Sequence, residues 1–329
     1  ISVEQNLIAK LLAQHKLDHD VGQIADELPL LGTDIDRCDA QTLDIEIFPN
    51  RPDLLSGETL TRAIRNFVHR QPAKPSITTT EGKITLNVEP DLAEIRPVIL
   101  GAVVRNVDYT SIGVSADEFI KSLMDHQEKL HFALGRGRKR ASIGVHDLAK
   151  LAPPFTVKAV SGDTKFTPLA ATEPMSIKEI MAEHPKGIEY AHLLSEFDRY
   201  PIILDAENNV LSFPPIINGD HTTVTKETKD FFIDVTGWDI RACESSLMLI
   251  ALQLQEYGGI IETVEVTNCF GATNVYPNGS AVEHKLTIAA IQGLLGGKLT
   301  EEAISGAINR MGGKLVACDD ELITLEMPR

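Results

Sequence analysis

The sequence predicts an α+β, multidomain protein, with a small N-terminal α/β unit, a mixed α/β domain in the middle and a C-terminal helix-and-hairpin domain that looks truncated. Three observations predict this. The 329 residues exceed what one core holds, since single cores rarely grow beyond ~250 residues. The middle of the chain carries many short apolar runs of period two with few helical patterns between them. The last stretch switches to helical spacing and then to a hairpin pattern. Boundaries are expected at residues 1–100, 101–263 and 264–329.

Ser2-Val3-Glu4-Gln5 has the form of a capping box, and Leu7, Ile8, Leu11 and Leu12 recur at helical spacing, so a short amphipathic helix is expected first. A second is expected around Val21, Ile24, Ala25 and Leu28. Leu43, Ile45 and Ile47 alternate with Asp44 and Glu46, which predicts a strand with one wet face, ended by Pro49 and Pro52. A helix follows from about Ser56, carrying Leu60, Ala63, Ile64, Phe67 and Val68 on one face. The Pro49-Asn-Arg-Pro52 turn is a rigid strand-to-helix connection, with Asp53 and Ser56 as caps.

Lys83 to Val88 and Val98 to Val107 read as strands. Ser115-Ala116-Asp117-Glu118 is a second capping box, and it opens a helix whose core stripe is Phe119, Ile120, Leu123, Leu130 and Leu134. Further strands are expected at Ala141 to Val145, Phe155 to Val160, Thr164 to Leu169 and Ile202 to Phe213, with a helix over Asp239 to Tyr257. Ile260 to Val266 reads as a strand leading out of the middle domain. Leu286 to Leu295 and Thr300 to Met311 read as helices, and Lys314 to Glu326 as a hairpin around Asp319-Asp320. Gly293 to Thr300 is no phosphate loop, because Gly297-Lys298 is followed by Leu299 and a helix precedes it.

Hydrophobic residues make up 43% of the chain, and no run approaches the ~18 apolar residues of a membrane span. No charged start followed by an apolar block marks a signal peptide, so a cytoplasmic protein with no membrane partner is expected. Cys38, Cys243, Cys269 and Cys318 form no CxxC pair, which speaks against a zinc ribbon or disulfide framework. With 31 basic and 47 acidic residues the net charge is −16, so any contact with nucleic-acid phosphates has to be local. The one dense basic run is Arg136, Arg138, Lys139 and Arg140, which reads either as a phosphate contact or as cations at a helix C-terminus. The chain starts at Ile1 and stops at Arg329 after a strand, as a piece of a longer protein would.

The stretch from Leu211 to Asp239, LSFPPIINGDHTTVTKETKDFFIDVTGWD, brackets a cluster of small polar groups with apolar strands, the composition of a pocket. Candidate pocket residues are His146 at a strand end, Ser212, Asn218, Asp234 and Thr236. Each also has a plain structural reading: a hydrogen-bonded core histidine, an Asn-Gly turn, a carboxylate serving backbone amides. His126 and His131 are five apart and fall on different helix faces, so no metal pair is expected. HExxH, GxSxG and GxGxxG are all absent from the sequence.

Together with DIEIFPNRPDLLS at Asp44 to Ser56, SIGVHDL at Ser142 to Leu148 and KGIEYAHL at Lys186 to Leu193, this stretch resembles the beta subunit of phenylalanyl-tRNA synthetase of the archaeal and eukaryotic type. The resemblance runs the length of the chain and implies an editing domain like B3/B4 over 101–263 and a partial B5-like domain over 264–329. It implies hydrolysis of tyrosine wrongly esterified to tRNA(Phe), with Asp234, Thr236 and His146 as catalytic residues. Ser212, Asn218, Gln127, Glu128 and His131 would bind substrate, and the run Arg136, Arg138, Lys139 and Arg140 would bind tRNA. Backbone amides near Gly219 or Gly237 are the expected oxyanion donors. Trp238 departs from the family pattern and is expected to narrow the pocket mouth.

The resemblance further implies a synthetase of two alpha and two beta subunits, aminoacylation in the alpha subunit, and magnesium and ATP for the complete synthetase. This piece needs no cofactor or metal of its own, because the family's magnesium-binding carboxylates belong to a segment after the LEMPR-like strand. The alternatives are a non-catalytic tRNA-binding or subunit-assembly module, and a free-standing amino-acid-binding domain.

Overall fold

The computed structural model describes residues 1–297, 299–319 and 321–329. The chain forms two compact units, Ile1–Thr78 with Asn278–Arg329, and Thr79–Pro277. The first and last stretches of sequence therefore share a unit, and a boundary at residue 100 would cut a strand, Val98–Arg105.

The first unit opens with β1 (Ser2–Glu4), α1 (Gln5–Ala13), α2 (Val21–Glu27), β2 (Thr33–Cys38), β3 (Thr42–Ile47) and α3 (Gly57–Phe67). β3 pairs antiparallel with β1 and β2. Its Leu43 and Ile45 share a core with Ile8 and Leu12 of α1, Ile24 of α2, and Leu60 and Ile64 of α3. The expected capping box at Ser2 does not form: Ser2 is held in a strand opposite Asp44, and α1 starts behind Glu4 without a side-chain cap. Sheet pairing overrides the local motif. Ser56 does cap α3, accepting the Thr59 N–H at 3.1 Å. Asp53 instead pairs with Arg51 at 2.7 Å, stiffening the proline turn.

The second unit runs β4 (Thr85–Val88), β5 (Val98–Arg105), α4 (Ala116–Ala133), β6 (Ala141–Asp147), β7 (Phe155–Ser161), β8 (Lys165–Phe166), β9 (Met175–Ser176), α5 (Ile177–Glu183), α6 (Pro185–Tyr190), β10 (Arg199–Leu204), β11 (Val210–Phe213), β12 (Ile217–Asn218), β13 (Phe231–Gly237), α7 (Ile240–Gln255), β14 (Ile260–Thr267) and β15 (Thr273–Tyr276). Among the described residues ten of these strands form one mixed sheet, in the order β12-β11-β10-β7-β4-β14-β5-β13-β6, with β15 on β14. β14 was expected to leave the domain; it lies between β4 and β5, because its apolar Ile261, Val264 and Val266 are buried there. The expected strand over Ile202 to Phe213 is a hairpin, whose turn is built by the Asp205 carboxylate accepting the Glu207 and Asn209 N–H groups. Of the expected Thr164 to Leu169 strand only Lys165 and Phe166 form a strand, and α5 and α6 carry no expectation from the sequence.

β5, β13 and β6 are buried along nearly their whole length. The Ser115 capping box of α4 is present, with both reciprocal hydrogen bonds. Phe119 of α4 meets the rings of Tyr109, Phe231 and Tyr257 at 4.3, 6.0 and 5.2 Å between centroids, joining the helix to β13 and the end of α7.

The chain returns to the first unit through β16 (Val282–Thr287), α8 (Ile288–Leu295), α9 (Glu301–Arg310), β17 (Lys314–Cys318) and β18 (Leu322–Met327). β18 is flanked by β16 and β17. The Arg310 guanidinium of α9 stacks on Phe67 at 4.0 Å and pairs with Glu27 at 2.7 Å, which ties this stretch to the N-terminal helices. Of the expected turn at Asp319-Asp320, Asp320 lies outside the described residues, as does Lys298 of the Gly-Lys pair.

Phe119→Ala is expected to cost about 3–5 kcal/mol, the usual range for a fully buried aromatic. Urea unfolding should show a lower midpoint at an unchanged slope; an unmoved midpoint would contradict the aromatic junction.

Candidate functional site

The two ends of the sheet path face one cavity. Ser142 to Val145 of edge strand β6 line it on one side, and Ser212, Ile217 and Asn218 of β11 and β12 on the other, around a volume of about 340 Å³. Ile120, Leu123, Met124, Gln127 and Glu128 of α4 close a third side. The sheet curls, and its two edges enclose the site. Pro214, Pro215, Ile216 and Leu169 make much of the wall apolar, so the few polar groups on it are the chemistry available.

Asp234 reaches this wall from β13. It lies opposite Gly144 of β6 and Gly101 of β5, and it is 1% exposed. Its Oδ1 accepts the Nε2–H of the fully buried His146 at 2.7 Å. The other ring nitrogen, Nδ1, lies 2.8 Å from the hydroxyl of Thr222, which also lines the cavity and donates to Gly219 O at 3.0 Å. A buried imidazole thus links two groups of the cavity wall. Gly144 makes room for the pair: a Cβ there would lie 2.2 Å from Asp234 Oδ1 and 2.8 Å from His146 Nε2.

Edge strand β6 leaves backbone groups that need partners, and α4 supplies them. Gln127 Nε2 donates to Ile143 O at 2.7 Å, and the Ile143 N–H donates to His131 Nε2 at 2.8 Å. A ring nitrogen that accepts carries no proton, so His131 is neutral and its Nδ1–H points to Glu128 at 3.4 Å. Burial lowers the His131 pKa in the same sense. The hydrogen bond from His131 and the charge of Arg138, 2.7 Å away, hold Glu128 down at about 2.

Arg138 is buried, stacks on Tyr190 at 4.3 Å and donates to Ile216 O at 3.0 Å, so it is part of the cavity wall and not of a phosphate-facing surface. Arg140 is paired with Asp239, the N-cap of α7. Arg136 and Lys139 remain as the exposed cations of the basic run outside these ion pairs, and the run follows the end of α4 as a tight turn in which Arg136 and Arg138 have positive φ.

The other expected residues fall as follows. Ser212 and Asn218 face each other across β11 and β12, with Ser212 Oγ donating to Asn218 Oδ1 at 3.2 Å on the cavity wall. Thr236 is fully buried behind the wall and reaches it only through Ser142, 3.0 Å from hydroxyl to hydroxyl. The expected oxyanion donors are not positioned to act as such, since the Gly219 N–H is bonded to Leu211 O, and Gly237 lies at the far end of β13, off the cavity. Trp238 is half-exposed and does not line the cavity, so it does not narrow the mouth. His126 turns to Gln253, away from His131's partners. Among the described residues no group of three or more His, Cys, Asp or Glu side chains is placed to hold a metal ion. None of their helices is long and apolar enough to cross a membrane.

Sequence reasoning passed over Ser142 and Arg96. The Arg96 guanidinium is buried, and it donates to Thr236 Oγ1 and Thr236 O, each at 2.7 Å, to Arg138 O at 3.0 Å and to Ser142 Oγ at 3.1 Å. Burial brings its pKa down to about 10, against the raising effect of Cys243 and Asp234, so it is a cation at neutral pH. A lone arginine before a proline carries no signal of such a role.

Residues 99–253 match the model of a family described as the B3/4 domain, which places the cavity inside that domain. The chain is 44% identical over 309 residues to the phenylalanine–tRNA ligase beta subunit of Methanosarcina acetivorans, covering 94% of this chain and 55% of that protein. It is 40% identical over 292 residues to the corresponding subunit of Archaeoglobus fulgidus, covering 89% of this chain and 52% of that one. A solved N-terminal fragment of the phenylalanyl-tRNA synthetase beta subunit from Pyrococcus horikoshii superposes with a TM-score of 0.90 at 28% identity, covering 100% of this chain and 93% of that chain. The second unit thus contains a B3/4 domain of the kind found in an aminoacyl-tRNA synthetase subunit. The chain belongs to the phenylalanine–tRNA ligase beta-subunit family, and it spans about half the length of the curated relatives it matches.

Gly144→Ala is expected to separate Asp234 from His146 and to cost about 1–3 kcal/mol through overpacking, measured by chemical unfolding; wild-type stability would contradict the close fit. The pH dependence of stability should also carry the His131 contribution. Its folded-state pKa lies below the ordinary 6.5, so the contribution is complete above that pH and is lost as pH falls through and below it. Between pH 7 and 5 the melting temperature of His131→Gln should fall less than that of the wild type, and an equal fall would remove His131 from that dependence.

Proposed function

We propose that this chain carries the editing site of a phenylalanine–tRNA ligase and hydrolyses tyrosine wrongly esterified to tRNA(Phe). The observation that carries the reading is the cavity: about 340 Å³, largely apolar, with Asp234 and Glu128 as fixed acceptors on its wall. That volume lies at the low end of the ~300–1,000 Å³ of small-molecule sites, a size suited to a single aminoacyl group.

Selectivity follows from chemistry. An apolar synthetic pocket shaped for phenylalanine rejects an added hydroxyl by only about 100-fold, whereas a second site built to hydrogen-bond that hydroxyl discriminates far more strongly. Asp234 is such an acceptor; its orientation is fixed by His146, which is fixed in turn by Thr222. A tyrosyl phenol adds a hydrogen bond to the one it already accepts from His146, and a phenylalanyl ring desolvates the carboxylate without supplying one. In hydrolysis a water oxygen adds to the acyl carbon, and the bond from that carbon to the ribose oxygen breaks. The ribose oxygen takes up a proton from the attacking water, and tyrosine leaves. The wall's part is to orient the ester and limit water access.

Aminoacylation, with its magnesium and ATP, belongs in this reading to the complete two-alpha, two-beta synthetase, and no step here is routed through either. tRNA(Phe) is the substrate carrier, and Arg136 and Lys139 are the cations offered to its phosphates. A purely tRNA-binding or assembly role draws on the basic run, and the withdrawal of Arg138 into the cavity wall weakens it.

The test is deacylation of Tyr-tRNA(Phe) beside Phe-tRNA(Phe). The wild type should release tyrosine selectively, and Asp234→Ala should slow release by about 100-fold or more, the scale of losing an orienting polar group. An undiminished rate would remove Asp234 from the reaction, and no release of either amino acid by the chain or by its synthetase would overturn the editing reading.

A further inference from the structure

The hydrogen bonds behind the cavity wall fix the direction of one proton. Arginine donates through all its N–H groups and accepts nothing. Arg96 therefore fills one lone pair of Thr236 Oγ1 through Nε at 2.7 Å, and Nη2, whose two protons are shared among Thr236 O, Arg138 O and Ser142 Oγ, reaches one lone pair of Ser142 Oγ at 3.1 Å. The two hydroxyls are 3.0 Å apart, and one must donate to the other.

If Ser142 donated, Thr236 would accept twice and its own buried proton would have no acceptor, at the desolvation cost of an unmade hydrogen bond. If Thr236 donates, its buried proton has an acceptor. Both lone pairs of Ser142 are then occupied, by Arg96 and Thr236, and its own O–H is left for the cavity that the residue lines. A hydroxyl that ordinarily donates or accepts becomes a donor only.

We propose that Ser142 is a fixed hydrogen-bond donor of this site, directed by Arg96 and Thr236, and that it binds the acyl carbonyl oxygen of the ester. This rests on the editing reading and deepens it. Negative charge collects on that oxygen as water adds, and a preoriented donor is worth more to the charged oxygen than to the neutral carbonyl. The assignment fills a role that the Gly219 amide, already bonded to Leu211 O, does not take. It also gives Thr236 a positioning role in place of a catalytic one.

The experiment is Ser142→Ala in the whole chain, assayed by Tyr-tRNA(Phe) deacylation with kcat and KM measured separately. The expected result is a fall in kcat of about 100-fold, as for loss of one oxyanion donor, with KM within about threefold. Because Ser142→Ala also takes the acceptor from Thr236 and lowers the melting temperature, the control is Ser142→Cys, close in size and a weaker donor, which should fall between wild type and alanine in kcat. Binding of tyrosinamide, which has the carbonyl, and tyramine, which lacks it, supplies a readout without hydrolysis. Ser142→Ala should weaken tyrosinamide and leave tyramine unchanged. Equal weakening of both would place the hydroxyl on another ligand group and overturn the carbonyl assignment, as would an unchanged kcat with an active wild type. A wild type that hydrolyses nothing and binds neither probe overturns the editing reading itself, and this assignment with it.

Discussion

The pairing of β13 with β5 on one side and β6 on the other is the constraint on which the site depends. Seven consecutive residues of β13 keep unbroken register with both neighbours, so every side chain on one face has an assigned opposite. Asp234 falls between two glycines, Gly101 and Gly144, where its carboxylate has space, and Thr236 falls opposite Ser142. A slip of one residue would send Asp234 to the other face and bring Ile233 or Val235 into its place. The burial of Phe231, Phe232, Ile233 and Val235 makes that slip costly, and so the core fixes the chemistry of the wall.

Two polar systems hang from this register. One runs from Asp234 through His146 to Thr222, joining β13 and β6 to the segment after β12. The other runs from Arg96 through Thr236 to Ser142 and the Arg138 carbonyl. Each is buried and well supplied with partners, which lets polar groups sit against an apolar cavity without a large desolvation loss. Breaking a buried pair such as Asp234 with His146 leaves a lone charge and costs about 3–5 kcal/mol in comparable cases, so these links hold the site's shape as well as its chemistry. The edge of β6 is closed by Gln127 and His131, so α4 serves both as cover for the sheet and as a wall of the cavity.

The strands and helices that fill the core were legible in the sequence because their patterns are local: the capping box at Ser115, the alternation at Leu43 to Ile47, the apolar run at Phe231. The polar cluster from Ser212 to Asp234 was legible as a pocket for the same reason. What the sequence hides is set by contacts far apart in the chain. Ser2 is drawn into a strand by pairing with Asp44, and Arg138 turns inward because Ile216 O and Tyr190 await it. Arg96 meets Thr236 across 140 positions, which no local pattern announces. The meeting of first and last segments in one unit, through Arg310, Glu27 and Phe67, belongs to the same class.

The most direct measurement is a crystal structure of this chain with a non-hydrolysable 3′-tyrosylamino-adenosine. The tyrosyl group is expected inside the cavity between β6 and β12, its phenol on Asp234 and its carbonyl oxygen on Ser142. A ligand bound elsewhere on the chain, or a tyrosyl group in the cavity that touches neither residue, would contradict the proposed editing site.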